Sequence, residues 1–423
     1  MATVEAVRVG APAWRGGFGR LWGAAVLSSF GDALRTAALP LLATTLTDEP
    51  LAIAAVTACG YLPWLVFGLL GGAVADRVDQ RRAMWTVDAL RGLLVACFAV
   101  AVGVGHASIG LLIALAFALT TFQTLFDNAS TALLPSLVDD DALGSANARL
   151  MTGQKIAGGL LGAPVVPLLL AGGAALPFAA DAATFLLAAA LVASLRPVAP
   201  ARKPKPAGST LRREITEGLR TLARDRALRG LCAATALCNI GVGALIATMV
   251  LLVTGWLDAG RTGFVLATTA YTVGSLAGGA VNRLLLVTRV GRVRAVLLAG
   301  SVQIGALVVM GTVRSLAALV AAMAVFGLMG MVWNVNTTTL MQQRSPAGML
   351  GRVSSAFRTL GVAGAPLGAL LGGAAATAWG LNTPALLAAA FFTLSVASLI
   401  PAFKRDVPVV APQDSATTAH VTR

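Results

Sequence analysis

Charge is scarce in this chain of 423 residues. Asp, Glu, Lys and Arg make up 12% of it, about half the roughly 25% of an average soluble domain. So little charge cannot cover the surface of a soluble protein of this size, which excludes a cytosolic enzyme, a secreted scaffold and a disordered chain. Only two histidines (His106, His420) and four cysteines (Cys59, Cys97, Cys232, Cys238) occur. The histidines are far apart, and the cysteines sit inside apolar runs without metal-binding spacing, so no metal or other cofactor is expected. The sequence has no G-x-x-x-x-G-K-[ST], so ATP is not expected as the energy source. No nucleophile–base constellation appears, and the chain does not read as an enzyme.

Apolar residues make up 57% of the chain and the mean hydropathy is +0.81. Runs of about 20 apolar residues recur, as membrane-spanning helices require. Twelve spans are expected: 20–46, 51–75, 83–104, 109–137, 146–172, 174–195, 228–253, 262–287, 294–313, 316–342, 351–379 and 382–402. This gives an all-α integral membrane protein with a tail at 1–19, six-helix bundles at 20–195 and 228–402, a linker at 196–227 and a second tail at 403–423. With the N-terminus inside, the inner segments hold 26 of the 32 Lys and Arg, whereas the outer loops hold only Arg261 and Arg314. This asymmetry places both termini and the linker in the cytoplasm of a cell membrane. The net charge of +14 then matches an anionic inner leaflet, not nucleic acid. No A-x-A-like cleavage site follows a short apolar core near the N-terminus, so residues 1–19 read as a tail. In the linker, Leu211, Ile215, Leu219 and Leu222 recur at helical spacing with Arg212, Arg213, Arg220 and Arg224 on other faces. This predicts an amphipathic helix on the inner membrane surface.

An internal repeat divides the chain. Gly71-Gly72-Ala73-Val74 returns as Gly278-Gly279-Ala280-Val281, and Leu143-Gly144 as Leu350-Gly351, both at an offset of 207. Gly162-Ala163-Pro164 returns as Gly364-Ala365-Pro366, at 202. Two related six-helix halves are the expected design, with substrate held between them. Gly162, Pro164, Gly364 and Pro366 are candidate bending points of the fifth and eleventh spans.

Several segments carry a resemblance. Gly72-Ala-Val-Ala-Asp76-Arg77-Val-Asp-Gln-Arg81-Arg82 resembles the loop between spans two and three of the major facilitator superfamily, with Asp79 where glycine is common. Gly31-Asp32, Ala38-Leu39-Pro40, Ala146-Asn147-Ala148-Arg149, Pro177-Phe178-Ala-Ala-Asp181-Ala-Ala-Thr-Phe185, Glu217-Gly218-Leu219-Arg220 and Leu350-Gly351-Arg352-Val353 are similar to its drug-exporter branch, which includes macrolide efflux proteins and the enterobactin exporter. The resemblance implies the major facilitator fold, alternating access and proton-driven export. The loop further suggests a conformational switch of Gly72, Asp76, Arg77, Arg81 and Arg82 against Gly351 and Arg352, where the start of span eleven offers free N–H groups. The second copy of the loop has Asn282-Arg283 and lacks that acid. The antiporter motif of the fifth span is interrupted here by Ala163, and the fourth span carries Asp127 instead of an arginine motif, so coupling residues do not transfer directly.

Ionisable groups inside membrane spans are costly and functional by default. Asp32, Asp127 and Asp181 are candidate proton carriers, with Arg35, Lys155 and Arg91 as counter-charges. Asp32 with Arg35, and Asp88 with Arg91, are three residues apart and can pair on one helix face. Asp127 and Lys155 lack a local opposite charge and can pair with each other between spans four and five, or with Asp32 and Arg35. Asp181 matches a family-wide position and reads first as structural. Asn239, Met249, Trp333, Asn334, Asn336 and Phe357 are candidates for the substrate cavity. The expected function is proton-coupled export of a small amphipathic antibiotic, drug or natural product, with the neutral or weakly basic kind best suited to mixed charge. An importer or dedicated metabolite carrier, and a non-transporting receptor or lipid-handling protein, are the alternatives. Protons, a small molecule and the bilayer are the expected partners of a monomer.

Overall fold

A computed structural model describes residues 17–67, 79–134, 137–138, 142–195, 211–282, 287–346 and 349–403. Among these residues there is no strand, and twelve long helices follow one another. In the first half they are α1 Gly17–Leu46, α2 Pro50–Phe67, α3 Gln80–Gly103, α4 Ile109–Leu133, α5 and α6 Leu176–Ala193. Helix α5 runs in three pieces, Leu143–Lys155, a π-helical stretch Ile156–Gly162, and Ala163–Gly172. A linker helix, Leu211–Arg224, leads to the second half. There α7 runs Arg226–Leu251 and ends in a π-helical turn, Leu252–Trp256. It is followed by α8 Gly260–Val281, α9 Arg292–Thr312, α10 Leu316–Arg344, α11 Leu350–Trp379 and α12 Thr383–Phe403.

Ten of the described helices are long and apolar enough to cross a membrane. The described part of α2 is a shorter apolar helix, and α1 carries Asp32 and Arg35 within its 30 residues. At 1.5 Å per residue α1 is about 45 Å long, ample for a bilayer core of about 30 Å. Leu168 is 74% exposed, and Val100, Leu187 and Leu394 are exposed too. Such an apolar surface suits lipid, where the backbone must satisfy itself and helices do so.

The helices alternate in direction. Arg20 Nη1 donates to Ser194 O at 2.5 Å, and Trp22 Nε1 to Arg149 O at 3.1 Å, so the start of α1 lies with the end of α6 and the first turns of α5. The linker helix meets the first turn of α11, and its Leu222 is buried in the protein core. This terminal face is opposed by a far face of short turns. There the two halves repeat in detail. Gly173 and Gly380, 207 apart, both take positive φ (153° and 107°). Each donates its N–H to the carbonyl four residues back, Leu169 or Ala376, and accepts from the N–H three residues on, Leu176 or Thr383, all at 3.1 Å. Glycine adopts this backbone without the Cβ penalty.

Small residues bring helices together inside the second bundle. A Cβ on Gly372 would lie 2.7 Å from Ala244 Cα, and one on Gly243 would lie 2.9 Å from Ala365 C. Helices α7 and α11 therefore touch backbone to backbone, as small-residue membrane interfaces allow. Asp79 caps α3 by accepting from Arg82 N at 2.9 Å, a local reason for an acid where the family loop commonly has glycine.

Candidate functional site

Helices α1, α3 and α6 stand side by side in the first bundle. Their approach depends on Gly31, where a Cβ would lie 3.2 Å from Asp181 Cα and would also overlap Thr184 Oγ1. One residue later Asp32 points into the same seam. Arg35 Nη2 donates to Asp32 Oδ1 at 2.5 Å, and Arg35 Nε lies 3.2 Å from Asp181 Oδ2. Arg91 on α3 reaches Asp32 with Nη2, 3.1 Å from both carboxylate oxygens. Its Nη1 lies 3.3 Å from Asp88 Oδ1, and its guanidinium stacks 4.0 Å over the Phe185 ring.

Two local pairs and a structural acid therefore form one cluster of three carboxylates and two guanidiniums. Isolated charges in such a place would be prohibitive, and pairing is what makes them tolerable. The arrangement is lopsided. Asp32 is held by both arginines and its side chain is 26% exposed. Asp181 is fully buried, accepts no hydrogen bond at either oxygen, and meets a single guanidinium. Helical spacing reveals the pairs within α1 and α3 but cannot reveal bridges between helices.

The other candidates are dispersed. Lys155 ends the first piece of α5, is half-buried, and makes no ion pair among the described residues. Asp127 lies on α4, and its side chain falls outside the described atoms. Gly72, Asp76 and Arg77 lie outside the described residues. Arg81 donates to the carbonyls of Val192 (3.4 Å) and Ala193 at the end of α6. Gly351 is in the first turn of α11, and Arg352 Nη1 donates to Glu217 Oε2 of the linker helix at 2.5 Å. A Cβ on Gly218 would stand 2.9 Å from Arg352 C, so glycine there lets the linker helix dock on α11. Gly162 and Pro164 flank the junction where the π-helical stretch of α5 returns to α-helix, whereas α11 stays α-helical through Gly364 and Pro366.

Met249, Trp333, Asn336 and Phe357 are buried in the second bundle, so in this conformation they pack the interior and do not line a cleft. Trp333 lies against Gly300, and Asn336 Nδ2 donates to Asn282 Oδ1 at 2.6 Å. Asn334 is exposed and Asn239 partly so, each donating to a carbonyl four residues back. Apolar residues read alike in sequence whether they meet lipid, cleft or core, so their faces become visible only in the fold.

The bundles meet toward the far face. Ala54, Ala58, Ala247 and Ala369 form a small buried cluster joining α2 to α7 and α11. A Cβ on Gly373 would lie 3.1 Å from Leu51 Cα. On the other flank, Gly159 in the π-helical stretch of α5 lies against Thr272 of α8. Toward the terminal face, the piece Leu143–Lys155 makes no substantial contact with α8.

Two six-helix bundles that meet through α2 with α7 and α11 and through α5 with α8, with a charge cluster inside a membrane span, define a polytopic transporter. The Major Facilitator Superfamily model matches residues 21–369, and the chain belongs to that family. Solved structures with a similar fold include the nucleoside transporter NupG (12% identity, 92% of this chain and 99% of that one, TM-score 0.75). A bacterial homologue of the iron transporter ferroportin in an inward-facing state is similar as well (14%, 92% and 99%, 0.71). So is the POT family transporter PepTSo (11%, 93% and 98%, 0.71). At these identities the likeness shows the fold alone. No curated protein sequence matches the chain significantly.

Proposed function

We propose that this transporter exports small amphipathic molecules, such as an antibiotic, drug or natural product, in exchange for protons. The observation that carries this reading is the charge count of the cluster. Among the described residues three carboxylates face two guanidiniums, a set that one proton balances and whose loss of that proton leaves one net negative charge. Asp181 is the best seat for that proton, since it gives up only one guanidinium contact when neutral and touches the α1–α6 seam at Gly31. Asp32 is the way in, being the most exposed acid of the cluster. Asp127 remains a further candidate.

Outward direction is drawn from the drug-exporter motifs of the sequence, and the charge asymmetry supports cytoplasmic tails and linker in a cell membrane. In that orientation the terminal face is the inner one, where the piece Leu143–Lys155 stands clear of α8. Asp76, Arg77, Arg81 and Arg82 would then form the inner gate with the start of α11. The bundles 20–195 and 228–402 rock as units of a monomer.

Proteoliposomes with an imposed pH gradient test the coupling. The parent should drive a fluorescent amphipathic drug uphill, and Asp181→Asn should lose uphill movement while keeping downhill exchange. Uphill transport unchanged in both Asp181→Asn and Asp32→Asn would remove the cluster from coupling. Concentration of the drug in the opposite direction would support the importer reading.

A further inference from the structure

Four cations lie within the spans: Arg35, Arg91, Lys155 and Arg358. The acid cluster absorbs the first two. Lys155 and Arg358 are left, and neither makes an ion pair among the described residues. Their positions are close across the repeat, one residue off the 202 offset of the Gly-Ala-Pro segments. They lie on α5 and α11, nine residues before Pro164 and eight before Pro366.

Their surroundings correspond too. The Arg358 guanidinium, exposed, lies 5.5 Å over the ring of Trp64 on α2, in the opposite bundle. The residue 207 positions after Trp64 is Tyr271 on α8, also exposed. Lys155 lies one turn before Gly159, and residues four apart share a helix face. Gly159 touches Thr272, the neighbour of Tyr271, so Lys155 faces the opposite bundle as Arg358 does. Lys155 and Arg358, neither ion-paired among the described residues, thus both face the opposite bundle, Arg358 against the Trp64 ring.

We propose that Lys155 and Arg358 receive the acidic group of the substrate, which is an amphipath bearing a carboxylate or a comparable anion on an apolar, ring-containing body. This rests on the reading of the chain as a carrier of small amphipaths, and it replaces the neutral or weakly basic substrate expected from sequence. The reason is that the described acids of the spans are all taken up by arginine, which leaves Lys155 and Arg358 without an ion pair among the described residues. A guanidinium or ammonium binds an anion through charge-assisted hydrogen bonds, and the Trp64 ring supplies apolar contact beside Arg358. Two cations on the paired helices α5 and α11, each facing the other bundle, let the anion pass from one wall to the other as the bundles rock.

Thermal unfolding of the purified full chain in neutral detergent tests this with 2-naphthoate, its methyl ester and 2-naphthylmethylamine. Naphthoate should raise the unfolding midpoint, and the ester and amine should not. Lys155→Gln and Arg358→Gln should each weaken the naphthoate response at least tenfold in concentration, while Lys155→Arg and Arg358→Lys retain it. The double reversal Lys155→Glu/Arg358→Glu should move the response to the amine. Stabilisation by ester or amine equal to that by naphthoate, no response to any of the three, or a naphthoate response unchanged in both Gln variants, overturns the proposal. A shift that depends on both cations with added phosphatidylglycerol but not with naphthoate makes them lipid anchors and overturns it as well. No proton gradient enters this measurement, so its failure is distinct from failure of the coupling test.

Discussion

Arg35 extends from α1 to α6 and sets its Nε 3.2 Å from Asp181 Oδ2 while its Nη2 holds Asp32 at 2.5 Å. One side chain thus ties the exposed acid to the buried one. When Asp181 is ionised, removing Arg35 leaves it as an uncompensated buried charge, which typically costs about 3–5 kcal/mol. Arg35→Gln should therefore lower the unfolding midpoint sharply in detergent. Arg35→Gln/Asp181→Asn should recover most of the loss, because the orphaned charge is gone. Equal destabilisation in the single and double variants would show that the bridge carries little of the effect.

The Gly31 contact makes a second, steric prediction. An added methyl would overlap Thr184 Oγ1 and the Asp181 side chain, and Asp181 Cα is backbone that cannot swing away. Overpacking of this kind costs about 1–3 kcal/mol. Gly31→Ala should lose that stability and also weaken transport, since α1 must shift the cluster to fit. Gly279, with nothing near its Cβ direction, is the control, and Gly279→Ala should unfold like the parent.

Much of the fold was legible because a bilayer demands long apolar runs, and run length survives in sequence whatever the packing. The repeat at 207 was legible in Gly71 and Gly278 and returns in the turns at Gly173 and Gly380. The cluster was only half legible. Three-residue spacing exposes Asp32–Arg35 and Asp88–Arg91, but the bridge to Asp181 spans about 150 residues and depends on which helices touch. Met249, Trp333 and Phe357 are buried in this conformation, and apolarity alone does not tell a helix face turned to the core from one turned to a cleft. The linker helix showed an amphipathic pattern, yet its Glu217 and Gly218 meet Arg352 of α11, a partner no local pattern names.

That docking yields a third prediction. Glu217 and Arg352 are each about one-third exposed, so their bridge contributes little to stability, about 0–1 kcal/mol. Its role would lie in holding the linker helix to the second bundle while the bundles move. Glu217→Arg and Arg352→Glu should each leave the unfolding midpoint within a degree or two and slow transport several-fold. The exchange of both charges should restore the rate, as measured by drug efflux from proteoliposomes. A double variant as slow as the singles would sink the pairing.

The far-face seam makes the last prediction. Alternating access requires contacts that close one face to open when the other closes. Here Gly373 of α11 rests on α2, and a Cβ placed on it would lie 2.6 Å from Ala54 Cβ. Disulfides need Cβ atoms about 3.5–4.5 Å apart. A separation of about 1 Å between the helices brings the pair into range, and breathing of the seam supplies it. Gly373→Cys/Ala54→Cys, in a background with Cys59, Cys97, Cys232 and Cys238 replaced, should therefore cross-link under mild oxidant. The linked protein should remain folded, keep its terminal-face cleft open to ligand, and stop transporting. Reductant should restore transport, which separates locking from damage caused by the substitutions. The single cysteine variants give the control for steric cost at Gly373. Full transport by the oxidised double variant, with cross-linking verified by mass, would mean that this seam does not part during the cycle.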